Sequence, residues 1–228
     1  MSQRLSTLSG MGRLAGLGIY DAREIAFLLG TKFETIVRWA MSDQRGLPPI
    51  VQPYSESYFT FEDLVSFAVA LNLRQRGVVE MDLRNGIEAL RRQMDMSRPL
   101  ANQVVLDKIA TSGSSLLLKY GDEWIDLGRG GQGTFKSVIR VYLRGVSFNQ
   151  VGIAHKWNAA VGVVIDPAIQ AGSPCIDGTR IPTSTILELL EDESLGDIAE
   201  EFDLTTEQVE AARDFEVNLS SGRGLLAA

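Results

Sequence analysis

The sequence is poor in the residues that build disulfides and metal sites. It contains one cysteine, Cys175, and one histidine, His155, among 228 residues. An intrachain disulfide is therefore impossible, and two-histidine or multi-cysteine metal sites are excluded within one chain. No apolar run approaches the roughly 18 residues of a membrane span, and residues 1–18 lack a signal-peptide pattern. We expect a cytoplasmic protein, without membrane attachment, that folds without a metal or cofactor.

Acidic side chains are scarce at first and abundant at the end of the chain. Residues 1–99 carry a net charge of +1 and residues 100–165 a net charge of +3. Residues 166–228 carry 14 acidic and 3 basic side chains. This asymmetry predicts that different parts of the chain bind different partners.

The first organised segment follows a Gly- and Ser-rich stretch, residues 1–18, which we predict to be a loose arm. Asp21 is placed to cap a short helix that ends at Gly30. Thr31 and Glu34 have the spacing of a capping box and predict a second helix directly after this glycine. Two short helices joined by a tight glycine turn are typical of a helix-turn-helix.

The second of these helices carries the residues of a candidate DNA-binding surface. Lys32, Thr35 and Arg38 lie on its polar side, and Arg45 lies in the Gly- and Pro-rich segment that follows. Arg38 is the best candidate for a bidentate contact to guanine. A solvated helix face is the alternative interpretation. Trp39 is predicted to pack in the core rather than to stack on a base.

Two further helices are predicted before residue 99. Thr60 and Asp63 begin the third, and the fourth carries an apolar stripe. This stripe, predicted to pack inside the domain or to form a coiled-coil seam, comprises Leu83, Ile87, Leu90 and Met94. Residues 18–98 resemble the winged helix-turn-helix of the MerR type. The residues that carry the resemblance are 20–26, Gly30, 35–39 and 59–64.

The middle segment, residues 100–165, predicts a small β component. Gly121 and Asp122 separate two apolar runs and predict a β-hairpin. A helix is predicted over residues 134–144, and its outer face would carry Lys136, Arg140 and Arg144. Residues 163–165 predict a buried strand. The G-x-G-x-x-G pattern at residues 128–133 lacks the context of a dinucleotide site, so we interpret it as a loop.

The final segment predicts three short helices after a Gly-Thr-Arg-Ile-Pro string at residues 178–182. Ser194 and Thr205 are placed to cap the second and third of these helices. Residues 167–216 closely resemble the family called domain of unknown function 433. The matching positions are Gly172, Pro174, Ile176, 178–182, Ile186, Leu190, Ser194, Ile198, Ala199, Phe202, Leu204, Thr205, Val209, Ala211 and Ala212.

The combination of the two resemblances is similar to the VapB-type antitoxins of type II toxin–antitoxin systems. It implies a DNA-binding repressor of its own operon that neutralises a PIN-domain ribonuclease toxin. Arg180 is then a candidate toxin contact, because a guanidinium pairs bidentately with carboxylates. Its alternative role is to hold the 178–182 turn against the acidic helices. Typical VapB antitoxins are far shorter and pair a ribbon-helix-helix or AbrB-like domain with a disordered tail. This chain departs from that pattern, so the resemblance implies no particular mode of toxin inhibition.

Two other functions stay open on the sequence. One is a stand-alone MerR-like transcription regulator whose C-terminal unit senses a ligand or partner, and the other is a protein–protein adaptor. No catalytic constellation is visible, and Cys175 and His155 are expected to have packing roles, so we expect no enzymatic activity. Helix-turn-helix readers commonly address two half-sites, which predicts a homodimer.

The predicted organisation is mainly α. It comprises a loose arm (1–18), a winged helix-turn-helix DNA-binding domain (19–99) and a central α+β segment with a hairpin (100–165). An acidic trihelical domain (166–218) and a flexible tail (219–228) follow.

Overall fold

The structure is a computed structural model that describes residues 16–54, 58–128, 131–132, 139–140 and 143–226. The α-helices are α1 (Ala22–Leu29), α2 (Phe33–Ala40), α3 (Phe61–Gln75), α4 (Glu80–Met94), α5 (Gln103–Leu106), α6 (Thr183–Leu189), α7 (Leu195–Glu201) and α8 (Thr206–Ser220). The strands are β1 (Ile109–Ser112), β2 (Ser115–Tyr120), β3 (Glu123–Asp126), β4 (Gly131–Gln132), β5 (Ile139–Arg140), β6 (Val146–Phe148), β7 (Ala154–Ala160), β8 (Val163–Ile165) and β9 (Pro174–Ile176). Short 3₁₀ turns lie at Pro99–Ala101 and Gln170–Gly172.

The prediction of a mainly α fold is wrong, because the protein is a mixed α/β structure with two antiparallel sheets. The first sheet has the order β4-β3-β2-β1-β5, in which the outer strands have two residues each. The second has the order β6-β7-β8-β9. β8 of this sheet is the buried strand predicted at residues 163–165. The sequence signal of the other three strands is weak, because β6 and β9 have three residues each and β7 mixes polar and apolar residues.

Local capping determines the first two helices. The Asp21 carboxylate accepts hydrogen bonds from the amides of Arg23 and Glu24, and the Glu24 side chain accepts from the Asp21 amide. Gly30 ends α1 in the left-handed region at φ 61°. The predicted Thr31 cap is wrong, because the amide of Thr31 is bonded to the carbonyl of Ala26 and α2 begins one residue later.

The helices α3 and α4 form the centre of the main core. Thr60 and Asp63 make the predicted reciprocal cap at the start of α3. Leu83, Ile87 and Leu90 of α4 are fully buried inside the chain. Their packing is therefore internal, and the alternative coiled-coil seam is wrong.

The central segment contains the predicted hairpin but not the predicted helix. β2 and β3 are adjacent antiparallel strands, and Tyr120 pairs with Glu123 across the Gly121–Asp122 turn. The helix predicted over 134–144 is wrong at Ile139–Arg140, which form a strand paired with β1. Lys136 of its proposed basic face lies outside the described residues.

The three predicted C-terminal helices are confirmed as α6, α7 and α8. Ser194 and Thr205 cap α7 and α8 through the amides of Asp197 and Gln208. The helices enclose a separate apolar cluster of fully or largely buried side chains: Ile176, Ile186, Ile198, Ala199, Val209 and Ala212. The predicted domain limit at residues 165 and 166 falls between β8 and β9, which are neighbours in one sheet.

The C-terminal unit, residues 166–226, contacts the first helices directly. The amide of Leu225 donates to the carbonyl of Leu28 at 2.8 Å, and Leu225 is buried in the main core. Gly224 lies so close to Leu29 and Gly30 that a side chain at this position would overlap their backbone. The two ends of the chain therefore form one packed body.

Candidate nucleic-acid interface

The predicted DNA-binding residues lie on α2 and on the loop that follows it. Lys32 is the N-cap of α2 and is exposed, Thr35 is half-buried, and the Arg38 side chain is 57% exposed. Arg45 is also exposed. The side chain of Trp39 on the same helix is buried, which confirms its predicted packing role.

Arg38 is held by a carboxylate on another helix. Its Nε lies 3.3 Å from Oε2 of Glu80, the first residue of α4. The terminal nitrogens of Arg38 have no protein partner among the described residues. The ion pair thus places the Arg38 guanidinium beside Glu80 through Nε, and its two terminal nitrogens remain available to a ligand.

Buried Arg84 of α4 binds both Glu80 and the backbone at the end of α2. Its side chain is 1% exposed, and its guanidinium donates to the backbone carbonyls of Arg38, Met41 and Pro48. Its Nε and one terminal nitrogen also donate to Oε1 of Glu80 at 3.2 and 3.0 Å. All five N–H donors of this arginine are thus used, which satisfies a buried charge.

A second arginine on α4 extends this attachment along the loop. Arg91 donates to the carbonyls of Pro49 and Ile50, both at 2.8 Å. Burial lowers the pKa of this guanidinium, and Glu88 opposes that shift. Two arginines seven residues apart on one helix therefore hold the backbone that follows α2.

The loop itself forms a tight turn beside the α2 terminus. The Asp43 carboxylate accepts from the amides of Arg45 and Leu47, and Gly46 has a positive φ of 78°. A terminal nitrogen of Arg45 lies 3.9 Å from the sulfur of Met81. An open depression of about 440 Å³ lies beside this turn. Its lining residues are Arg38, Met41, Ser42, Asp43, Gln44, Arg45 and Glu80. Arg38 and Arg45 thus line the same concave surface.

Arg180 lies far along the chain, in the turn after β9. It is exposed, and its backbone carbonyl accepts from the Gln170 side chain at 2.9 Å. Its side chain makes no ion pair with any described residue. In particular, none joins it to the acidic helices in this part of the structure.

The other chemically notable side chains form no further reactive centre in the described part of the chain. Cys175 is buried, its pKa is raised by burial, and its thiol contacts the carbonyl of Ser173. The expected packing role of His155 beside Trp157 is wrong, because His155 is exposed and its Nδ1 lies 3.1 Å from the carbonyl of Ser147. Gly128 packs against Asp82, whereas Gly130 and Gly133 of the glycine pattern lie outside the described residues. Within the described ranges, no cluster of three metal-ligating side chains occurs.

The sequence did not point to Glu80, Arg84 or Arg91 as parts of the site. The available signal was the spacing of Glu80 and Arg84, four residues apart on one helix, which is the spacing of an ion pair. Nothing in the sequence shows that this pair faces α2. That relationship depends on the tertiary packing of α4.

The comparisons with known proteins concern the C-terminal region and the fold. Residues 163–215 match the family model "Protein of unknown function (DUF433)". No curated protein sequence matches the chain significantly. Among the described helices, none has both the length and the apolar character needed to cross a bilayer.

A solved structure shares the overall architecture. The crystal structure of Rv2018 from Mycobacterium tuberculosis superimposes with a TM-score of 0.59, over 86% of this chain and 96% of that one. The two sequences are 18% identical, so the likeness concerns the fold alone. The match to the domain of unknown function 433 extends from β8 into α8, and the chain as a whole is similar in fold to Rv2018.

Proposed function

We propose that the protein is a DNA-binding antitoxin of the VapB type. Its MerR-like N-terminal unit binds operator DNA and represses its own operon, and its C-terminal unit neutralises a PIN-domain ribonuclease. The observation that carries this proposal is the separation of charge. Exposed cations lie together on α2 and its loop, whereas residues 183–216 carry 12 acidic side chains and one basic side chain.

The charge separation favours the N-terminal unit as the part that binds DNA. DNA affinity depends largely on lysine and arginine side chains that neutralise phosphates and release counterions. Exposed Arg38 and Arg45 line one depression, and exposed Lys32 lies at the N-terminus of α2, so these three residues provide such cations on α2 and its loop. The duplex repels an acidic surface, so α6–α8 are not the DNA-binding helices.

The acidic unit is suited to a basic partner. A ribonuclease presents a positive surface to its RNA, and an acidic protein surface competes for that position. Arg180 is one of three arginines in this unit and is exposed, and its guanidinium pairs with the carboxylates of the toxin active site. Two copies of the chain then present two recognition helices to two half-sites.

The DNA test uses the full-length protein and a fragment from upstream of its own gene, measured by fluorescence anisotropy. Arg38→Ala is expected to weaken operator binding by roughly 1–3 kcal/mol. Lys32→Ala and Arg45→Ala are expected to weaken binding to all sequences and to reduce the salt slope by about 1 each. The control is Arg92→Ala. It removes an exposed arginine of α4 that lies about 18 Å along this helix from Glu80, the partner of Arg38. Equal effects of all four substitutions would contradict the proposed surface.

The toxin test combines co-expression with the adjacent open reading frame, which the proposal expects to encode a PIN-domain ribonuclease, and an assay of RNA cleavage. We expect a stable complex in which the ribonuclease is inhibited. Arg180→Ala is expected to weaken inhibition while the thermal unfolding midpoint stays unchanged, because the side chain is exposed. Unchanged inhibition in a folded variant would remove Arg180 from the interface. Light scattering of the free protein tests the proposed dimer.

A second candidate function is the stand-alone regulator with a ligand-sensing C-terminal unit. A cavity of about 520 Å³ favours it, because this volume lies in the range of small-molecule sites. The cavity lies between the β7–β8 turn, α8 and the C-terminal segment, with polar groups from Asp214, Asn218 and Arg223. A regulator would bind the upstream DNA without any ribonuclease partner, which the co-expression experiment distinguishes.

A further inference from the structure

The carboxylate of Glu80 connects the buried arginine to the exposed one. Its Oε1 accepts from Arg84, and its Oε2 contacts Nε of Arg38. Because Arg84 is buried and its five donors are all used, Glu80 is bonded to a side chain that packing and hydrogen bonds hold in one conformation. Buried Arg84 therefore orients Glu80, and Glu80 orients the exposed side chain of Arg38.

The three cations of the surface differ in how they are held. Arg38 pairs with a carboxylate through one edge, whereas Lys32 and Arg45 form no ion pair with described residues. A long free side chain suits a phosphate, which accepts many orientations. A guanidinium paired through Nε suits a base, because its two terminal nitrogens stay free and a guanine contact uses two donors in one plane.

We propose that Glu80 is a positioning residue that determines sequence specificity by holding Arg38 toward a guanine. This inference rests on the proposed DNA-binding function. The carboxylate has a second effect, because its negative charge beside the duplex opposes non-specific attraction to phosphates. Glu80 thereby lowers affinity for random DNA and raises the preference for the operator.

The decisive variant is Glu80→Gln. The amide oxygen of glutamine still accepts from Arg84, but its NH₂ group faces Arg38 and cannot accept from Nε. The expected result is a fall in the ratio of operator affinity to random-DNA affinity by about five- to tenfold. Affinity for a random fragment of equal length is expected to stay constant or rise, which a general loss of structure would not produce.

The matched control is Glu88→Gln on the same helix. Glu88 also pairs with two arginines, Arg91 at 3.6 Å and Arg92 at 3.0 Å. It lies about 12 Å further along α4 than Glu80, away from α2. The affinity ratio of this variant is expected to equal that of the unmodified protein.

A double-mutant cycle separates positioning from a structural effect. If Glu80 acts through Arg38, Glu80→Gln has no further effect on the ratio once Arg38→Ala is present. Additive losses of the affinity ratio overturn the proposal, as does an unchanged ratio in Glu80→Gln alongside a reduced ratio in Arg38→Ala.

An unchanged ratio in Glu80→Gln leaves the proposed DNA-binding function intact. Equal affinity of the unmodified protein for operator and random fragments contradicts sequence-specific DNA binding itself. If Glu80→Gln does not fold, Arg38→Lys keeps the charge without the fork, and an unchanged ratio in it overturns the proposal.

Discussion

The hydroxyl of Tyr20 donates a hydrogen bond of 2.8 Å to the backbone carbonyl of Gly172. Tyr20 precedes α1, and Gly172 precedes β9, so this bond joins the first helices to the C-terminal unit. The neighbouring backbone strengthens the contact, because the amide of Ile19 donates to the carbonyl of Ala171. Burial raises the pKa of the Tyr20 hydroxyl, so it remains a donor at neutral pH.

Replacing Tyr20 with phenylalanine is expected to destabilise the fold by about 1–2 kcal/mol, because the buried carbonyl of Gly172 loses its donor. Urea unfolding measures the difference. Tyr58→Phe is the matched control, since the Tyr58 side chain is half exposed and its hydroxyl faces no such buried carbonyl among the described residues. Equal stability of the two variants would show that the Tyr20 bond contributes nothing.

Gly224→Ala is expected to destabilise the protein by roughly 1–3 kcal/mol, because the added methyl group overlaps the backbone at Leu29 and Gly30. The segment must then move, and buried Leu225 loses its contacts. Gly196→Ala provides the contrast. Its new methyl group would lie 3.9 Å from Oγ of Ser194, the N-cap of α7. Alanine is more favourable than glycine within a helix by roughly 0.5–1 kcal/mol. Opposite shifts of the thermal midpoint are therefore expected.

Arg84→Ala is expected to cost roughly 2–5 kcal/mol in the free energy of unfolding. The substitution leaves three backbone carbonyls and the Glu80 carboxylate without their donor. Arg92→Ala, in which a largely exposed arginine of the same helix is removed, is expected to change stability by less than about 0.5 kcal/mol. Chemical denaturation compares the two, and similar values would contradict the anchoring role of Arg84.

Glu216 makes stability depend on pH. Burial raises the pKa of this carboxyl, and the hydrogen bond from Thr183 opposes the shift. A carboxyl with a raised pKa in the folded state stabilises the fold fully at low pH, and that contribution is lost as the pH rises through the folded-state pKa. Glu216→Gln is therefore expected to raise the thermal midpoint at pH 7 and to leave it unchanged near pH 4. Glu210→Gln, at an exposed position of α8, is expected to show no such pH-dependent gain.

Local signals predicted most helices correctly. The Asp21 cap, the Thr60 cap and the Thr205 cap each mark a real helix start, because capping depends on residues close in sequence. The Thr31 cap failed because the turn after Gly30 uses the Thr31 amide to close α1. Competition between neighbouring helix ends for one amide is not visible in the sequence.

The strands were harder to predict. In β7 the buried positions are Ala154, Trp157 and Ala159, so the alternation of apolar and polar residues is interrupted. Alanine also has a low preference for strands, which weakens the sequence signal further. The register of this strand shifts between Asn158 and Ala160, which breaks the two-residue period. β9 is stabilised by its pairing with β8, and such pairing is a tertiary property.

The candidate site was predictable in part. The exposed position of Arg38 follows from helix periodicity. Its carboxylate partner at Glu80 lies on another helix, and only the packing of α4 on α2 brings them together. The sequence therefore indicated the cations of the surface but not the groups that orient them.

The close approach of Gly30 and Gly224 has a genetic consequence. A methyl group at Gly30 would lie 2.6 Å from the amide nitrogen of Gly224 and 2.7 Å from the carbonyl oxygen of Gly222. The backbone at Gly30 and the backbone at Gly222–Gly224 are in direct contact, although almost 200 residues separate them in the sequence. Second-site suppressors of a destabilising substitution at Gly30 should therefore map to residues 222–225, and a screen for restored thermal stability would recover them.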